Sequence, residues 1–160
     1  MMHPSETFPT ELLVASGVVL NEGDPIAINS SGQAVLALHG TGAGGGIVKP
    51  EGAAFFDQNN GTGEVITGDG STVYTGMARK CRIHGMNGTL VPSIGAGLPV
   101  YLGPVSSGTV SPYTCAVPAA GYSLIEVGIV DSDATTLLLD FSGITALQVQ
   151  SAATSNVTAA

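Results

Sequence analysis

Residues 72–85 read TVYTGMARKCRIHG, the longest stretch of the chain that alternates as a strand does. Successive side chains of a strand point to opposite faces. The alternation therefore predicts Val73, Met77, Cys81 and Ile83 on one face and Tyr74, Lys80, Arg82 and His84 on the other. A strand with one apolar and one charged face belongs to an antiparallel sheet that is covered on one side. No segment carries a sustained 3.6-residue apolar period that would compete with this reading.

The neighbouring segments repeat the pattern. Downstream, Met86-Asn87-Gly88-Thr89 reads as a hairpin turn. YSLIEVGIVD (122–131) and TTLLLDF (135–141) read as two strands joined by the acidic turn Asp131-Ser132-Asp133. Alternation puts Ile125, Val127 and Ile129 on one face of the first, and Leu137, Leu139 and Phe141 on one face of the second. Upstream, LLVASGVVL (12–20) leads into the turn NEGDP, PIAIN and QAVLAL flank Ser-Ser-Gly as a hairpin, and EVIT (64–67) is a short strand. PEGAAFFDQ (50–58) is the one stretch that reads as a helical turn or two. GDPIAINSSGQAV (23–35) is echoed by GLPVYLGPVSSGTV (97–110), which fits either two related hairpins or similar turns recruiting similar residues.

Composition agrees with an all-β chain. Only 10% of the residues are charged, against about 25% in ordinary domains, while 44% are apolar, 23 are Gly and none is Trp. A length of 160 residues suits one domain with extended ends. We divide it into an N-terminal arm (1–11) that carries Pro4 and Pro9 around polar residues and Phe8, a β domain (12–142), and a low-complexity tail or arm (143–160) without a charge. No run approaches the roughly 18 apolar residues of a membrane span, so no membrane partner is expected. Four Lys/Arg against twelve Asp/Glu give a formal charge of −8, which argues against nucleic acid, whose affinity comes from cations on phosphates. MMHPSETFPTE has neither a basic n-region nor an apolar h-region and does not read as a secretory signal. Cys81 and Cys115 then read as two reduced, buried apolar residues.

The motifs that suggest chemistry fail on their context. GTGAGGG (40–46) contains G-x-G-x-x-G at Gly40, Gly42 and Gly45, yet IVKPEG follows it, and Pro50 with Gly52 denies a helix its first turns. Lys49 is not in a G-K-[ST] context either. Cys81 and His84, three apart on a strand, point to opposite faces and cannot share a metal ion. Asp131, Asp133 and Asp140 lack the calcium-loop pattern and read as solvated turn carboxylates. No G-x-S-x-G elbow accompanies the many serines, and His84 beside Arg82 reads as a solvated or interface residue. No cofactor, metal site or catalytic constellation is expected, and the chain reads as a non-enzyme. Arg79, Lys80 and Arg82 stand out, being three of the four basic residues. They form either a solvated strand face or a docking point for an acidic partner surface.

GAGLPVYLGPVSSGTVSPY together with GYSLIEVGIVDSDATTLLLDF, and GVVLNEGDPIAI upstream, resembles the head-decoration (cement) proteins of tailed bacteriophages, the lambda-type family. The resemblance spans roughly residues 12–142. The insertion at 40–63 and the uncharged tail depart from it. It implies a small β-barrel or β-tulip-like domain, a homotrimer on the outer surface of the expanded capsid, and the major capsid protein as partner. It carries no catalytic residues. The expected function is therefore structural: a virion protein, made in the host cytoplasm, that clamps the shell. Its expected contact residues are Phe8, Pro9, Leu12 and Leu13, then Arg79, Lys80 and Arg82. The alternative is a tail-associated or secreted glycan-binding β module, which the 5% aromatic content disfavours.

Overall fold

The computed structural model describes residues 2–7, 11–37, 49–56, 65–103, 105–106, 109–117, 123–144 and 148–149. Phe8 and Pro9, the glycine run 40–46 and most of the tail lie outside these residues. Every regular element described is a strand: β1 (Met2–Thr7), β2 (Leu12–Leu13), β3 (Val19–Asn21), β4 (Pro25–Ile28), β5 (Ala34–Leu36), β6 (Gly52–Phe55), β7 (Val65–Thr67) and β8 (Tyr74–Ile83). These are followed by β9 (Pro99–Leu102), β10 (Val105–Ser106), β11 (Thr109–Val110), β12 (Tyr113–Thr114), β13 (Ser123–Leu124), β14 (Glu126–Val130), β15 (Leu137–Asp140) and β16 (Gln148–Val149). The protein is an all-β, barrel-like domain.

Ten strands form one sheet in the order β12-β9-β14-β15-β8-β6-β4-β5, with β1 and β2 also on β8. One half of this sheet closes on itself. β8 pairs with β6, β6 with β4, and β4 with β5. From β5 the circuit returns through the bridge Val14↔Ala34 to β2, which pairs with Tyr74 and Thr75 of β8. Ala15 donates its N–H to the Ala34 carbonyl at 3.0 Å, and Val14 donates to Val73 at 2.8 Å. This small barrel holds a core of Val14, Leu20, Ile26, Ala34, Ala54, Phe56 and Met77.

The other half, β15-β14-β9-β12, continues from β8 over a second core, which includes Val100, Leu102, Tyr113, Val127, Val130, Leu137 and Leu139. The two cores share a wall. Met77, Ala54 and Ile26 face the first core, while their chain neighbours Ala78, Ala53 and Ala27 face the second. Alternation makes one strand serve two cores, and the small alanines let the second layer approach closely. Gly23 joins the layers. It sits at φ +93°, a Cβ there would come within 2.9 Å of Ile83 Cδ1, and its carbonyl accepts the buried Tyr113 hydroxyl at 2.6 Å.

This wall overturns the helical reading of 50–58. Gly52–Phe55 is strand β6, paired with β4 and β8, because Ala53 and Ala54 are both fully buried and each serves a different core. A helix would have left the backbone edges of β4 and β8 unpaired.

The alternation of β8 also needs correction. Val73 and Met77 belong to the first core, but Cys81 and Ile83 belong to the second, with Ala78. The strand changes face once, at a bulge around Arg79. There β1 skips a residue of β8, passing from Glu6↔Lys80 to Thr7↔Ala78. An extra residue in one strand shifts every later side chain to the other face. The same thing happens in β14. Ile125 and Val127 are buried as expected, but Ile129 is 47% exposed and Val130 is buried instead. The ladder to β9 skips Val127 there, and Gly128 stands beside the irregularity.

Other expectations fare differently. Residues 25–28 and 34–36 form the expected hairpin, its turn held by Asn29 Oδ1, which accepts the N–H groups of Ser31 and Gln33. Leu137, Leu139 and Phe141 are buried together, and β14 pairs with β15 across the acidic turn. Both cysteines are free and buried, and burial pushes the Cys81 thiol up to about 12. Asn87 does nucleate a turn, accepting from Thr89 and Leu90 through its side chain. That turn makes no hairpin, since the next strand, β9, pairs with β14 and β12 rather than β8. The echo at 97–110 is not a second copy of the 23–35 hairpin for the same reason: β10 and β11 pair with each other, apart from β9.

Candidate partner-binding face

The exposed side of β8 beyond the bulge carries Lys80 and Arg82. Arg79 does not share their position. It is half-buried at the bulge, so the sequence cluster of three cations divides into two. Leu12 and Leu13 are half-buried on β2, with Leu12 packed against the first core.

Register partners lie side by side on one face of a sheet. Arg82 is opposite His3 of β1 on one edge and Leu138 of β15 on the other. Leu138 is opposite Ile129 of β14, which is opposite Pro99 of β9. Arg82, Leu138, Ile129 and Pro99 thus form a row across four strands, roughly 14 Å at the usual strand spacing. Leu98, 41% exposed, is opposite Val130, one position past the row, and its carbonyl accepts the Val130 N–H at 2.9 Å. Lys80 occupies a second row between Glu6 and Asp140.

The face thus combines the exposed Ile129 and the half-buried Leu138 and Pro99 with charged groups of both signs at one side. Apolar side chains supply burial energy and an arginine supplies directed hydrogen bonds, which is the make-up of protein–protein contact surfaces. Sequence reasoning located the cations but missed Leu138, Ile129 and Pro99. Ile129 reads as core because nothing but Gly128, a glycine in the middle of a strand, signals the bulge that turns it outward.

His84 continues the outer side. Its Nδ1 lies 3.0 Å from Thr136 Oγ1, and the Thr136 hydroxyl donates to Asp133 Oδ2 at 2.6 Å. With the hydroxyl proton committed to Asp133, the imidazole must donate from Nδ1. This chain of bonds orients the ring. Among the described residues, no group of three His, Cys, Asp or Glu side chains is placed to hold a metal ion.

Asp133 also shapes the turn before β15. The Thr136 hydroxyl first, then the N–H groups of Thr135 and Thr136, hold its carboxyl down at about 2. The Thr72 hydroxyl and the N–H groups that follow Asp69 depress that carboxylate in the same way. Asp140 is lowered by the Ser142 hydroxyl and N–H and, to a smaller degree, by the charge of Lys80. A depressed carboxylate contributes stability above its unfolded value, 3.8, and loses it as pH falls through the folded value. These carboxylates are therefore expected to make the urea midpoint fall as pH drops between about pH 4 and pH 2. Asp133→Asn should reduce that slope, and an unaltered slope would remove Asp133 as a contributor. Asp24 acts in the opposite sense: burial raises its value, so its contribution falls as pH rises from 3.8 through its folded value.

No family model, no curated protein and no solved structure matches this chain.

Proposed function

We propose that this protein is a capsid decoration protein of a tailed bacteriophage, a structural and non-enzymatic component that binds the outside of the expanded head as trimers and braces it. The observation that carries this reading is the Arg82–Leu138–Ile129–Pro99 row, in which the exposed Arg82 and Ile129 flank the half-buried Leu138 and the half-buried Pro99 closes the strip. The resemblance of residues 12–142 to the lambda-type family supports it, as does the low charge of the chain. Small contacts repeated over a shell gain by avidity what each lacks alone.

The test is co-sedimentation with expanded and unexpanded capsids of the phage that encodes the protein, stripped of it beforehand. Saturable binding to expanded capsids is expected. Ile129→Asp and Arg82→Glu should each weaken it at least tenfold, because a central apolar anchor or an interface arginine is worth about 2 kcal/mol or more. Binding by neither capsid form overturns the reading and directs the search to glycans. Deletion of residues 1–11 is a poor probe of the arm, since it also strips β1 and the buried Met2 from the second core.

A further inference from the structure

We propose that Asn87-Gly88 is a self-modification site. In the folded protein the Gly88 nitrogen closes on the Asn87 side chain, ammonia leaves, and water opens the resulting succinimide to aspartate or isoaspartate. This chemistry is independent of the capsid reading.

The pair lies in the segment after β8, and backbone bonds fix it on both sides. Met86 donates its N–H to the Thr135 carbonyl at 2.9 Å, and the Asn87 carbonyl accepts the Leu90 and Val91 N–H groups at 3.1 and 2.8 Å. Val91 is fully buried in the second core. Asn87 and Gly88 themselves are exposed.

Three features of this arrangement favour ring closure. Asn87 Oδ1 accepts the Thr89 N–H at 2.9 Å and the Leu90 N–H at 3.1 Å. The negative charge that builds on Oδ1 as Cγ becomes tetrahedral therefore meets two donors already in place. The nucleophile is unhindered. Among the described residues the Gly88 N–H donates to none, and even an added Cβ there would meet open space. The leaving group is equally unheld, since no described residue bonds Asn87 Nδ2. The other described asparagines differ on these points. Asn29 Oδ1 is cradled in the same way by Ser31 and Gln33, but Ser30 follows it and its Nδ2 donates to Gln33 Oε1 at 3.4 Å. Asn21 precedes Glu22, and its Nδ2 donates to Asp24 Oδ2 at 3.4 Å. Only glycine lacks the Cβ that crowds the attacking nitrogen.

The step needs only water as co-reactant. A base from the solvent takes the Gly88 N–H proton, and the nitrogen bonds to Cγ. The Cγ–Nδ2 bond breaks, releasing Nδ2 as ammonia with a proton from water. Water then opens the five-membered imide. Cleavage of the new Cγ–N bond leaves aspartate in an ordinary chain. Cleavage at the backbone carbonyl leaves isoaspartate, with the chain running through the side chain. The former carbonyl, which accepts the Val91 N–H, is then a free carboxylate.

The test holds the purified full chain at physiological temperature and mildly alkaline pH, beside the free peptide HGMNGTLV (84–91). Peptide mapping by mass spectrometry is expected to show Asn87 gaining about 1 Da, with isoaspartate read by enzymatic methylation. The folded chain should convert within about threefold of the peptide's rate or faster, while Asn29 persists. Gly88→Ala should slow the change by about tenfold or more, with circular dichroism to confirm that its sheet is intact. A folded chain whose Asn87 lags further behind the peptide, or stays an amide, overturns the proposal. So does a change confined to Asn60-Gly61, the other Asn-Gly of the sequence, or a lesser slowing in Gly88→Ala.

Discussion

Gly128→Ala is expected to destabilise the protein by about 3 kcal/mol, a large effect for one methyl group. A Cβ at this position would lie 2.1 Å from the Leu138 carbonyl oxygen and 3.0 Å from Leu139 Cα. These are backbone atoms of the neighbouring strand, which cannot rotate away as a side chain can. β14 must then move off β15, and it carries Ile129 with it. The drop in melting temperature should be on the order of 10 °C, given about 2–4 °C per kcal/mol for a chain of this size. Any capsid binding should also weaken, because Ile129 and Leu138 lie across this contact. As a contrast, Gly88→Ala places its Cβ in open space at an ordinary φ and should leave the melting temperature within a degree or two. Equal stability of the two variants would mean that the close approach at Gly128 is not what shapes the strand.

The second large effect tests the shared wall. Leu137→Ala empties a fully buried site in the second core, and Met77→Ala does the same in the first. Each is expected to cost about 2–5 kcal/mol by loss of apolar burial and creation of a cavity. Because β8, β6 and β4 line both cores, neither core can melt while the other keeps its wall. Both variants should therefore unfold in one transition, with calorimetric and van't Hoff enthalpies in agreement. Two transitions in the Leu137→Ala protein, with the barrel melting later, would show that the closed half stands alone and that the wall does not couple the cores.

How far the sequence could be read depended on whether a signal was local. The hairpin at 25–36 was legible because Asn29, Gly32 and the flanking β-branched residues settle a turn within a few positions. The β14–β15 pair was legible for the same reason, with an acidic turn between two apolar runs. Gly52–Phe55 was misread because Gly-Ala-Ala-Phe has no period of its own, and only the two cores on either side make it a strand. The candidate face was half legible. Lys80 and Arg82 stand out on a chain with four basic residues, whereas Ile129 and Leu138 look like every other core aliphatic.

By itself, then, the sequence determined the class: an all-β domain with few charges, many turns, and a long central strand bearing the only cluster of cations. Tertiary structure alone decided which way each strand faces after its bulge, that one half of the sheet closes through the bridge Val14↔Ala34, and that Arg82 lines up with Leu138, Ile129 and Pro99. The physical reason is the twofold period of a strand. One inserted residue inverts every side chain beyond it, and where that residue goes is set by packing against strands far away in the chain.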